Sequence, residues 1–96
     1  MSKSDRQSEV SFPMGRIVMT ANAVRTLPLS DVATGLLRHA RGDWGDVGEA
    51  GRRENESALS QGSSLHSAYH NRRGVAFWVM TEATRSLTTV LLPDDY

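Results

Sequence analysis

The stretch SLHSAYHNRRGVAFWVMTEATRSLTTVLLP, residues 64–93, decides the fold. Leu65, Ser67 and Tyr69 alternate with His66, Ala68 and His70, a period of two that predicts a strand. Asn71 to Gly74 has the composition of a turn. VAFWVMTE, Val75 to Glu82, predicts the strongest strand of the chain, with Val75, Phe77, Val79 and Thr81 on one face and Ala76, Trp78, Met80 and Glu82 on the other. Both faces are largely apolar. Such a strand belongs inside a sheet, with helices over one face and either the N-terminal arm or a partner over part of the second. A turn at Ala83 to Ser86 leads into LTTVLLP, a last strand that Pro93 ends.

Working back toward the N-terminus, RIVMT (Arg16 to Thr20) is β-branched and apolar and predicts a short buried strand that the chain leaves at Ala21 and Asn22. In LPLSDVATGLLRHARGDWG, residues 27–45, Ser30 stands where an N-cap is expected. Val32, Ala33, Leu36, Leu37 and Ala40 repeat at helical spacing, and Gly42 is the expected stop. Asp46 and Glu49 have the spacing of a capping box, which predicts a second helix from Val47 to Gln61 ended by Gly62. Its apolar face is thin: Val47, Ala50, Ala58 and Leu59, with Gly51 and Asn55 in the same sector. The expected organisation is a flexible N-terminal arm, residues 1–14, and one α+β domain, residues 15–96. The element order is β-α-α-β-β-β, with a C-terminal antiparallel sheet packed on two helices.

The 96 residues carry 11 Lys and Arg and 11 Asp and Glu, a formal net charge of zero. Tight, sequence-blind binding to nucleic acid or to an anionic membrane draws on excess positive charge, so neither is expected. The absence of Cys excludes disulfides, thiolate catalysis and Cys-based zinc sites. No apolar run approaches the length of a membrane span, and MSKSDRQSEVSF has no apolar signal core, so a cytoplasmic protein is expected. No phosphate-binding glycine loop, dinucleotide fingerprint, HExxH or nucleophile elbow occurs, and no cofactor is expected.

Three groups of residues stand out. Trp44, between Gly42, Asp43, Gly45 and Asp46, is either a plug at the edge of the core or an exposed anchor for a protein partner. His39 and Asp43, four apart, suit a carboxylate orienting an imidazole on the border of an apolar stripe. The pair lacks the further ligands of a metal centre, and His66 and His70 lie too far apart along a strand to chelate together. The expected partner-binding residues are therefore Trp44, Asp43, Asp46 and His39. The third group comprises Tyr69, His70, Arg72 and Arg73 at one hairpin turn and Glu82 and Arg85 at the other. These types would serve a metal-independent ribonuclease, with His or Glu as base, Arg on the phosphorane and Tyr under a base. A strand edge left unpaired would favour an oligomer.

HARGDWG (His39 to Gly45), Asn55, SAYH (Ser67 to His70) and WVMTEATRSLTTVLLPDDY (Trp78 to Tyr96) together resemble a family of small bacterial proteins described as plasmid-related. The resemblance spans about residues 16–96. It implies a home on mobile genetic elements and brings no established activity. Members tend to carry an acid where this chain has Gly51 and Thr84. The element order is separately similar to that of RelE/BrnT-like ribonuclease toxins, which are strongly basic where this chain is neutral.

Overall fold

The computed structural model describes residues 12–96. They form an α+β domain of three helices and one four-stranded mixed sheet. The strands are β1 (Arg16–Met19), β2 (Leu65–His70), β3 (Ala76–Thr81) and β4 (Leu87–Leu91); the helices are α1 (Ala21–Thr26), α2 (Leu29–Ala40) and α3 (Gly48–Gln61). A 3-10 turn, Pro93–Asp95, follows β4. The sheet order is β1-β4-β3-β2, antiparallel except that β1 runs parallel to β4. Parallel pairing follows from the long crossover between β1 and the hairpins, whereas β2, β3 and β4 are joined by tight turns.

Several local expectations are corrected. The short helix α1 follows β1 directly, because the Thr20 side chain accepts from the Ala23 N–H and caps it. Ser30 lies within the first turn of α2, whose N-cap is Pro28. Asp46 does not cap α3, which begins at Gly48 after Val47 with no side-chain cap; the Asp46 carboxylate accepts from His70 instead. Gly62 ends α3 in the left-handed conformation, as its position predicts. Of the expected arm, residues 1–11 lie outside the described residues. Phe12 is buried and Met14 packs with it against Trp44, Ala58 and Leu65, so the core begins ahead of residue 15.

One face of the sheet is covered. Tyr69, Phe77, Val79 and Val90 pack with Ala23 of α1, Leu27 just after it and Val32 of α2. Beyond them Ser67 and Thr81 meet His39, Thr88 bonds Thr81, and Leu65 joins the cluster of Phe12, Trp44 and Ala58. The free edge of β2 is sealed at His66 and Ala68. The Asn55 side chain accepts from the His66 N–H at 3.1 Å and donates to the His66 carbonyl at 2.8 Å, standing in for a strand. The loop after α2 continues the seal, with Ala68 N–H donating to the Trp44 carbonyl and Asp46 N–H to the Ala68 carbonyl.

Candidate functional site

His39 is fully buried. A backbone carbonyl can only accept, so the Thr88 hydroxyl donates to Met14 O at 2.7 Å, which leaves Thr88 Oγ1 to accept from the Thr81 hydroxyl at 2.7 Å. Thr81 Oγ1 then accepts from His39 Nε2–H at 2.9 Å, and His39 Nδ1 accepts from the Ser67 hydroxyl at 2.5 Å. The four side chains form one directed chain with every donor used. Burial drives the imidazole to its neutral form, pushing its pKa down to about 4. Ser67 is itself fully buried, so this chain holds α2 to three strands and presents no nucleophile.

Trp44 is also buried, at 3% exposure. Its ring packs edge-on to His39 and stacked with Phe12, and Nε1–H donates to Glu56 at 2.9 Å. Trp44 and His39 are thus core residues, and an exposed indole anchor is not what this loop supplies. Asp43 does not orient His39. It accepts two hydrogen bonds from Arg38, which raises the Arg38 pKa and lowers that of Asp43. Asp43 and Asp46 remain exposed.

The two hairpin turns do not converge. Tyr69, His70, Arg72 and Arg73 lie at one end of β3 and Glu82 and Arg85 at the other, separated by its length of about 17 Å. Tyr69 faces the core, its pKa pushed up to about 12 by burial, and donates its hydroxyl hydrogen to the Asp43 carbonyl. No stacking platform remains there. Arg85 donates to the Ala58 and Ser63 carbonyls, closing the C-terminal end of α3, and to the Glu82 and Ala83 carbonyls of its own turn. Among the described residues no three acidic or histidine side chains come together to hold a metal ion.

The other face of the sheet carries Val18, Ala68, Ala76, Trp78, Met80, Leu87 and Leu91 at its middle, with Arg16, His66, His70 and Thr89 among them, all in register. The apolar contacts of α1 and α2 are with the opposite face. Trp78 is half-buried at its centre, with His66 edge-on at 4.7 Å and Tyr96 edge-on at 5.5 Å. Tyr96 is 81% exposed. Its position is fixed by Asp95, whose carboxylate accepts from Thr20, Asn22 and the Leu92 N–H; these bonds, that of Thr20 foremost, lower its pKa. Beside Trp78 an open groove is floored by His66 and Ala68 and walled by Val47, Gly51, Glu54 and Asn55 of the α3 segment. A Cβ at Gly51 would lie 2.9 Å from Val47 Cβ, so glycine lets these two wall residues pack closely.

Burial lowers the pKa of His66, whose Nε2 is buried without a hydrogen-bond partner among the described residues, and Glu54 lines the same groove. The period-two pattern placed Trp78 on this face; what it lacked was the contrast with Trp44, which arises from tertiary contacts. No family model, curated protein or solved structure matches the chain.

Proposed function

We propose that the protein is a non-catalytic protein-binding module of a bacterial mobile element, docking its partner on the helix-free face of the sheet and so tuning or counteracting a host function such as defence. The observation that carries the reading is Trp78: a large aromatic at the centre of an apolar sheet face, flanked by an exposed Tyr96 and a groove. Antiparallel sheets commonly leave one face to solvent, but that face is then polar. Here Val18, Ala68, Trp78, Met80, Leu87 and Leu91 make its centre apolar, with Arg16, His66, His70 and Thr89 around them, and aromatic residues of this kind dominate binding energies. The partner of matching chemistry offers an apolar side chain to the groove and a basic group to Glu54 on its wall. The mobile-element setting rests on the resemblance of the HARGDWG and TEATRSLTT segments.

A partner captured from bacterial lysate by the wild type is titrated into isotope-labelled protein. The largest chemical-shift changes are expected at His66, Trp78 and Tyr96, with affinity reduced about thirtyfold by Trp78→Ala. Equal binding by Trp78→Ala, or changes confined to the 43–46 loop or the 70–73 turn, would sink the proposal.

A further inference from the structure

The two edges of the sheet differ in how their backbone groups are used. On β1, Arg16 N–H donates to the Ser86 carbonyl and Thr20 N–H to the Val90 carbonyl, so in the parallel ladder Arg16, Val18 and Thr20 turn their backbone groups toward β4. Ile17 and Met19 therefore turn theirs outward. Among the described residues nothing pairs with them. Ile17 is also 44% exposed, and Val24 on the helix that follows is 60% exposed.

We infer that β1 pairs with β1 of a second copy, in antiparallel register about a two-fold axis at Val18, to give a continuous eight-stranded sheet. In this register Ile17 faces Met19 of the second copy and exchanges both N–H···O bonds with it. The second Ile17–Met19 pair does the same, and all four outward groups of each strand are used. Pairing about Ile17 or about Met19 would use only half of them. The register also sets Arg16 opposite Thr20, so the two arginines do not face each other, and a net charge of zero does not oppose association. Both outer edges of the joined sheet are β2 strands sealed at His66 and Ala68 by Asn55 and the Trp44–Asp46 loop, so the edges that remain are the better protected ones. The axis stands normal to the sheet. It brings the two Trp78 faces to the same side, giving a partner two equivalent grooves on one surface.

The dimer and the docking face are separable, since a monomer retains Trp78 and a Trp78 variant retains β1. Analytical ultracentrifugation from micromolar to near-millimolar concentration is expected to show the mass rise to twice that of the monomer. Ile17→Pro removes an outward N–H while leaving the ladder to β4 intact, and is expected to weaken dimerisation about tenfold or more. Trp78→Ala should dimerise as the wild type does. Amide hydrogen exchange on the wild type needs no variant: Ile17 and Met19 amides should slow as concentration rises. The inference is overturned by a wild type that stays monomeric throughout, by Ile17→Pro dimerising with undiminished affinity, or by Ile17 and Met19 amides whose exchange ignores concentration. A monomer whose edge amides slow only on addition of another protein would assign the edge to a foreign strand, and would equally overturn it.

Discussion

The edges of β2 and β1 face the same physical problem and meet it differently. Along β2 every outward group of His66 and Ala68 has a partner, supplied by one amide side chain and by the loop that follows α2. Along β1 the corresponding groups of Ile17 and Met19 have none among the described residues. An open edge invites another strand, whereas a sealed one excludes it. The difference teaches that the unusual residues of the 39–46 segment and Asn55 serve to close one side of the sheet, which leaves the other side to make contacts.

The severest way to break this contrast is Gly45→Ala. Gly45 has φ of +73°, and an added Cβ would lie 2.0 Å from the Ala68 carbonyl oxygen, so the loop must leave β2. The variant should lose the Trp44 and Asp46 bonds to Ala68 together, at a cost of about 3–4 kcal/mol in urea denaturation, and should aggregate through the newly opened edge. A stable, monodisperse Gly45→Ala would show that the loop does not seal the edge.

Acid should open the same side more gently. His39 lies just before the sealing loop, against Trp44, and is neutral in the fold with a pKa of about 4 against an ordinary 6.5. Below pH 6.5 the unfolded chain takes up a proton that the native state refuses, so stability falls as pH drops to 4, by about 3 kcal/mol in all. His66, also lowered by burial, adds to the same window. Denaturant midpoints measured across this range should decline in the wild type and flatten, though not fully, in His39→Gln. An unchanged slope would mean that His39 is not held neutral by the fold.

How far this was legible from sequence depends on the range of the deciding contacts. The hairpin strands read correctly because alternation at residues 65–70 and 76–81 is a local pattern that burial enforces. Helix α1 escaped notice because six residues offer too short a period, and its Thr20 cap looks like the end of a strand. The two tryptophans show the limit more sharply. Trp44, between glycines and carboxylates, has an exposed-looking neighbourhood, and what buries it is Phe12, His39 and a bridge from Gly45 to Ala68. His39 is decided by Ser67 and Thr81, equally remote along the chain. Trp78 sits in an apolar run yet is the more accessible of the two, since no helix crosses its face. Hairpin residues that look like one cluster in the sequence are divided by the length of β3.

The smallest expected effect gives the sharpest test of the comparison. Asn55→Ala removes both bonds to His66 at once and leaves a backbone N–H and a carbonyl without partners on a strand already paired on its other side. The expected cost is about 2 kcal/mol, because an unsatisfied buried group forfeits more than the hydrogen bond itself contributed. The fold should survive, since Trp44, Ala58 and Leu65 still pack. The informative readout is therefore local: the His66 amide should exchange faster in Asn55→Ala, approaching in monomeric protein the rate of Ile17 on the open edge, while the Ala68 amide stays protected by the Trp44 carbonyl. If His66 and Ala68 accelerate together, the seal is a single cooperative unit and Asn55 anchors the loop as well as the strand. If neither changes, the edge is protected by packing alone, and the contrast between the two sides of the sheet does not depend on hydrogen bonding.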